Sequence, residues 1–154
     1  MEMINSIGQK VIQGGSRRSA IYASLNWKHD DIDKFLTAKN WSDMSVGSTG
    51  KTLFDIKLED FNFPAPLDMT NISINYDTQW LLNYWETGEI GDVFRNNISQ
   101  ALRTGEPGFS FNFFEKENET LRNACTEVTS EDDSDVCNLG SINIGRIDSI
   151  DGLT

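Results

Sequence analysis

In the run Asn123-Ala124-Cys125-Thr126-Glu127 an amide, a thiol and a carboxylate stand at alternate positions. Side chains two apart on an extended chain share a face. Read as a strand, the run therefore directs Asn123, Cys125 and Glu127 into one volume the size of a small substrate. A thiol works as a nucleophile through its thiolate, or it gives and takes a hydrogen atom through S–H. A neighbouring carboxylate disfavours the thiolate. The nucleophile reading also asks for a base such as histidine, and the only histidine, His29, lies in a different segment. Hydrogen-atom chemistry has neither requirement. The same spacing also suits a buried cysteine in a strand, because free Cys is a common core residue.

Twelve residues on, Cys137 sits in Asp135-Val136-Cys137-Asn138-Leu139-Gly140-Ser141-Ile142-Asn143. Two sulfurs and one remote histidine do not make a closed zinc site, so no metal is expected. A second thiol near the first could act as a reductant by forming a disulfide; a core cysteine or a plain structural disulfide is the alternative. The acidic stretch Glu131 to Asp135 reads as a solvated loop. Gln13-Gly14-Gly15-Ser16-Arg17-Arg18 combines a freed backbone with two planar cationic donors suited to phosphate or base edges. A helix end followed by surface arginines would look the same. Val46 to Thr52 imitates a P-loop, but that motif needs glycine at position 45, where Ser45 stands.

The chain that must position these residues has 154 residues, 38% hydrophobic and 10% aromatic. That is one domain's worth of sequence, too apolar for intrinsic disorder. No run approaches the roughly 18 apolar residues of a membrane span, and the first residues lack the pattern of a signal peptide. A net charge of −11 argues against direct nucleic-acid binding, which needs a basic surface. A small anionic ligand requires arginines or backbone N–H groups to reverse the field locally. With only two cysteines there is no disulfide framework, and the expected location is cytoplasmic.

Helices and strands are expected to alternate, which gives an α/β fold. Met3, Ile4, Ile7 and Val11 recur at helical spacing up to Gly14-Gly15. Ser19 to Leu25 suits a buried strand; Asp30 and Asp31 offer caps for a helix through Ile32, Phe35 and Leu36. Asn40 to Lys51 reads as loop, leading into a strand over Leu53 to Leu58. Pro64 and Pro66 fix an extended link before Ile72-Ser73-Ile74. Asp77 caps a helix through Trp80, Leu81, Tyr84 and Trp85. After Gly88 a second helix carries Val93, Phe94, Ile98 and Leu102. Gly105-Glu106-Pro107-Gly108 ends it before a strand through Phe109, Phe111 and Phe113. The periodic start and the alternating Ile142 to Ile147 near the end both look like elements entered partway. Residues 1–154 are therefore expected to be a segment of a larger protein.

Together these motifs resemble the catalytic large chain of ribonucleotide reductase. Gly14 to Arg17 is similar to that family's second specificity loop, and Asn-x-Cys-x-Glu at 123, 125 and 127 to its active-site triplet. Cys137 to Asn143 resembles its redox-cysteine strand, and Gly105 to Gly108 falls at the matching place before the triplet. The resemblance implies a ten-stranded α/β catalytic barrel, of which residues 1–154 are the central segment, incomplete at both ends. It implies that Cys125 forms the thiyl radical that abstracts the substrate 3′ hydrogen, that Glu127 is the base on the 3′ hydroxyl, and that Asn123 holds the ribose. Cys137 is then one of two reducing thiols, and Gly14, Gly15, Ser16, Arg17 and Arg18 relay the identity of a bound effector. The implied partners are a ribonucleotide substrate, a deoxynucleotide or ATP effector, a thioredoxin-type reductant, and a second copy or complementing fragments. The spacing of the two cysteines and the Glu-Val-Thr-Ser context most resemble the adenosylcobalamin-dependent class; a class with a separate dimetal radical subunit is the alternative. The family's other redox cysteine and its phosphate loop lie outside residues 1–154, so the chain alone is not expected to turn over. Two further readings remain: a non-catalytic module of the same fold, and a thiol-disulfide exchanger using Cys125 and Cys137.

Overall fold

The strand Thr70-Asn71-Ile72-Ser73-Ile74-Asn75-Tyr76 alternates without a break, and the structure is organised around it. The structure is a computed structural model that describes residues 1–13, 17–116, 121–130, 135–138 and 140–146. Strand β3 (Ile21–Asn26) pairs in parallel with β4 (Thr70–Tyr76), which pairs in parallel with β5 (Gly108–Phe111). Parallel neighbours need crossovers. The first runs through α2 (Ile32–Leu36) and α3 (Leu53–Glu59), the second through α4 (Thr78–Thr87) and α5 (Asp92–Thr104). The expected α/β class holds.

Because paired residues in register share a face, each sheet face has its own chemistry. Ala23, Leu25, Ile72, Ile74, Tyr76 and Phe109 form the apolar face, closed by Ile32, Phe35 and Leu36 of α2 with Trp80, Val93 and Phe94. Tyr76 is fully buried at its centre, with ring centroids 5.1 Å from Trp80 and 5.0 Å from Phe94. Its hydroxyl donates to Asn97 Oδ1 at 2.9 Å, and Asn97 Nδ2 donates to the Pro107 carbonyl at 2.7 Å. The phenol is thus satisfied where no water reaches, as a buried polar group must be. Tyr22, Ser24, Asn26, Asn71, Ser73, Asn75, Ser110 and Asn112 fall on the opposite face by the same parity. That face carries hydroxyls and amides and no formal charge.

Asp77 joins the end of β3 to the start of α4. Its carboxylate accepts from Trp80 N, Asn26 Nδ2 and Trp27 Nε1 at 3.1, 3.0 and 2.9 Å. Burial works to raise its pKa, but these donors outweigh burial and hold it below the ordinary aspartate value.

Three expectations are corrected. Leu53 to Leu58 is helical, not a strand. Thr52 Oγ1 accepts from Asp55 N while Asp55 accepts from Thr52 N, a capping box that nucleates α3. The helix α1 (Glu2–Lys10) ends before Gly14, because the chain turns extended at Val11 and enters β1 (Ile12–Gln13), paired with β2 (Arg17–Arg18). Near the end, Ile144–Arg146 is a 3-10 turn rather than a strand.

Helix α1 also turns its apolar stripe outward. Met3 is 78% exposed and Ile7 58%, whereas Asn5 is 2% exposed. Asn5 Oδ1 accepts from Met69 N and Thr70 Oγ1, each at 2.9 Å, and Nδ2 donates to Asp68 at 3.1 Å. A Cβ on Gly8 would lie 2.8 Å from Ile21 Cδ1, so a larger residue there would displace the end of the Ile21 side chain.

Candidate active site

The triplet does not lie on an extended strand. Strand β6 (Leu121–Arg122) pairs antiparallel with β7 (Thr129–Ser130), and the chain reverses between them. Thr126 N donates to the Asn123 carbonyl at 3.0 Å, closing a β-turn over residues 123–126. Asn123 N donates to the Val128 carbonyl at 3.2 Å. The Asn123 side chain closes the loop further: its Oδ1 accepts from Val128 N at 3.0 Å. Short polar side chains of this kind favour turns because they satisfy nearby backbone donors. Period-two alternation therefore does not bring the triplet together. Cys125 and Glu127 instead share the tip of a hairpin, both exposed.

The turn is held against the uncharged sheet face. Asn71 Nδ2 donates to the Ala124 carbonyl at 2.6 Å. Arg122 donates from one nitrogen to the Thr126 carbonyl at 2.8 Å and from the other to Asn112 Oδ1 at 3.1 Å. Asn112, 4% exposed, in turn donates to Asn75 Oδ1 at 2.8 Å. Thus β4, the end of β5 and the hairpin form one hydrogen-bonded unit.

Cys137 returns to this unit, although residues 135–138 form no strand. Asn123 Nδ2 lies 3.6 Å from Cys137 Sγ, in hydrogen-bonding contact. Arg122, Asn123, Val128, Ser130, Asp135, Val136 and Cys137 line a hollow of about 200 Å³. Pockets that enclose drug-sized ligands run to roughly 300–1,000 Å³, so this hollow is smaller than one that encloses a whole ligand of that size. A carboxamide NH2 carries two donors; one meets the thiol, and the second is available to a hydroxyl.

Of the residues expected to form a specificity loop, Gly14, Gly15 and Ser16 lie outside the described residues, and Arg17 is placed only by its backbone in β2. The Arg18 guanidinium lies 4.4 Å from the Phe61 ring centroid and donates to Asn62 Oδ1 at 2.6 Å. Both flanks of the loop dock on the same connection. Lys57 donates to the Phe61 carbonyl at 2.7 Å and pairs with Asp68 at 3.1 Å, and Asp68 also accepts from Asn5 and Gln9 of α1. Burial works to raise the Asp68 pKa, but the hydrogen bonds from Asn5, Gln9 and Lys57 outweigh it and hold the carboxyl below its ordinary value. Of the acidic stretch Glu131 to Asp135, residues 131–134 lie outside the described residues.

Sequence reasoning missed Asn71, Asn112 and Arg122. Asn71 was visible in the alternation of β4, where a polar alternate position reads equally well as a solvated face. Among the described residues no cluster of His, Cys, Asp and Glu could hold a metal ion, and no helix is long and apolar enough to cross a membrane.

Comparison with known proteins adds a second line of argument. Over 98% of its length the chain is 30% identical to a candidate adenosylcobalamin-dependent ribonucleoside-triphosphate reductase of Mycobacterium phage D29. The chain is a relative of the ribonucleotide reductases. It is 27% identical, over 99% of its length, to the ribonucleoside-diphosphate reductase subunit alpha of Chlamydia trachomatis. It is 28% identical, over 95%, to the vitamin B12-dependent ribonucleoside-diphosphate reductase of Thermoplasma acidophilum. The alignments cover 21%, 18% and 19% of these reductases, so the chain spans about a fifth of their length. No family model and no solved structure matches.

Proposed function

We propose that this chain is the thiyl-radical segment of a ribonucleotide reductase that makes 2′-deoxyribonucleotides, with adenosylcobalamin as the radical source. The observation that carries the reading is the turn itself. Within it Asn123 touches Cys137 at 3.6 Å, and Cys125 stands two residues away at the exposed tip. In the likeness to reductases these are the ribose-binding amide, the reducing thiol and the radical thiol.

On this reading the Cys125 sulfur radical takes the 3′ hydrogen atom, so an S–H bond forms as the C3′–H bond breaks. Glu127 accepts the proton of the 3′ hydroxyl, and the free donor of Asn123 orients the ribose. The 2′ hydroxyl leaves as water. Cys137 and a second thiol supply two electrons and two protons and become a disulfide, which a thioredoxin-type protein reduces. Cys125 then returns its hydrogen atom to C3′ and regains the sulfur radical, and Glu127 gives the proton back to the 3′ oxygen. An uncharged floor of amides and hydroxyls suits this chemistry, because it offers hydrogen-bond partners to sugar hydroxyls. The parallel sheet would continue on both edges into a ten-stranded barrel. Arg17 and Arg18 would read an effector-dependent base through the loop that Phe61 and Asn62 hold.

Adenosylcobalamin, when bound, supplies homolytic radical chemistry. The chain's part is the receiving end: the exposed thiol of Cys125 is open to hydrogen abstraction from the solvent side. The likeness to the Chlamydia subunit alpha favours a second reading, in which a separate dimetal subunit generates the radical.

The test is Cys125→Ser in the complete reductase, assayed for deoxyribonucleotide formation with and without adenosylcobalamin. Loss of product with the serine variant, and cobalamin dependence of the parent, are expected. Full activity of the serine variant would defeat the radical role. Cobalamin-independent activity would move the chain to the dimetal class.

A further inference from the structure

The turn that carries Cys125 holds Thr126 at φ 76°. That is the left-handed region, which a β-branched residue rarely enters. Such a conformation persists only where its surroundings over-determine it. The group on the spot is Arg122. Its guanidinium spans from the Thr126 carbonyl, at 2.8 Å, to Asn112 Oδ1, at 3.1 Å. Asn112 is anchored in turn: its backbone N donates to the Tyr76 carbonyl at 3.0 Å and its side chain to Asn75 at 2.8 Å. The rigid planar fork is what allows one side chain to serve both acceptors; a lysine would bring a single point charge.

We infer that Arg122 is a positioning residue: it locks the strained Thr126 peptide and thereby fixes where the turn presents Cys125. The inference takes its functional meaning from the reading of Cys125 as the reactive thiol, but its geometric content stands without it. With Arg122 in place the turn is a single state tied to the sheet. Without it, the Thr126 peptide relaxes toward ordinary backbone angles and the hairpin tip samples several positions. The Thr126-to-Asn123 and Val128-to-Asn123 hydrogen bonds then open together.

Amide hydrogen exchange on the full 154-residue chain reads this directly, because those two bonds protect the amides of Thr126 and Val128. In Arg122→Ala, losing the charge-assisted bond should speed exchange at both amides by about tenfold or more. The amides of Ser73 and Ile74 in β4 should not change. Arg122→Lys, which keeps the stem packed, should fall between, and it serves alone if the alanine variant does not fold. Thr126→Gly placed in either background should restore slow exchange, since glycine occupies the left-handed region without strain. Unchanged exchange at residues 126 and 128 overturns the inference. So does an equal rise throughout β4, or failure of the glycine to rescue.

In the complete reductase the same variants should lower kcat, leave KM for the nucleotide within about twofold, and recover with Thr126→Gly. If Cys125→Ser leaves activity intact while the exchange pattern holds, the reading of Cys125 fails and the positioning role survives.

Discussion

Asn71, at the second position of a core strand, donates to the carbonyl of Ala124 at 2.6 Å, one residue before the thiol of Cys125. The contact spans 53 positions of sequence. It sets the height of the hairpin over the sheet, as Arg122 sets its twist. In Asn71→Ala the sheet should remain intact, because the side chain points away from the apolar core. The hairpin should loosen by about 1 kcal/mol, the net worth of one such bond. Limited proteolysis between residues 121 and 130 should then quicken about fivefold, with no change in the thermal midpoint beyond about 2 °C.

Asp68 ties α1 to the connection that holds Arg18, and its charge is what makes the tie. Removing Lys57, whose side chain is 9% exposed against 4% for Asp68, strands a buried carboxylate. Lys57→Ala should therefore cost about 3 kcal/mol in denaturant unfolding. The sign of the pH effect follows from the lowered pKa. An aspartate whose folded pKa lies below its unfolded value stabilises the fold above the unfolded value, near 3.9. That contribution fades as pH falls through the folded pKa. In Asp68→Asn the part of acid destabilisation below about pH 4 owed to this group should disappear, which unfolding curves at several pH values would show.

The hydroxyl of Tyr76 and the amide of Asn97 satisfy one another where both residues are fully buried. Tyr76→Phe keeps the aromatic cluster and removes one partner, so it should cost about 1–2 kcal/mol. Asn97→Ala should cost more, about 2–4 kcal/mol, because it also leaves the Pro107 carbonyl without its donor. Thermal unfolding of the two variants checks the order.

Exposed apolar surface on α1 is expected to make the chain self-associate when it is alone. Met3, Ile4 and Ile7 are 78%, 57% and 58% exposed along one stripe, more than a monomer's surface helix usually shows. Sedimentation over a concentration series should reveal association, and Ile4→Lys with Ile7→Lys should reduce it. A parent chain that stays monomeric at high concentration would contradict the expectation.

Local signals in the sequence were enough for most elements. Asp77, Gly88 and Gly105 mark the ends of α4 and α5, and the alternation in residues 70–76 marks β4, because caps and period are properties of neighbouring residues. The strand expected over Leu53 to Leu58 went wrong on a local signal that was present but outweighed: Thr52 and Asp55 form a capping box, and apolar content alone does not distinguish a short helix from a strand. The triplet 123, 125 and 127 was legible as chemistry but not as geometry. Whether a polar run extends or turns depends on whether Asn123 finds Val128, and on a floor of amides to receive the hairpin.

By itself the sequence determined the residue types, the caps, the alternating period of the sheet and the likeness to ribonucleotide reductases. Only the tertiary structure decided which face of α1 is buried, that Cys137 meets Asn123, and that Arg122, Asn112 and Asn71 hold the turn carrying Cys125. The reason is physical. Periodicity reports that a face exists, since neighbours along the chain create it. Which partner covers that face, or bonds a given carbonyl, is settled by groups that can lie tens of residues away, as Asn71 does from the Ala124 carbonyl it meets at 2.6 Å.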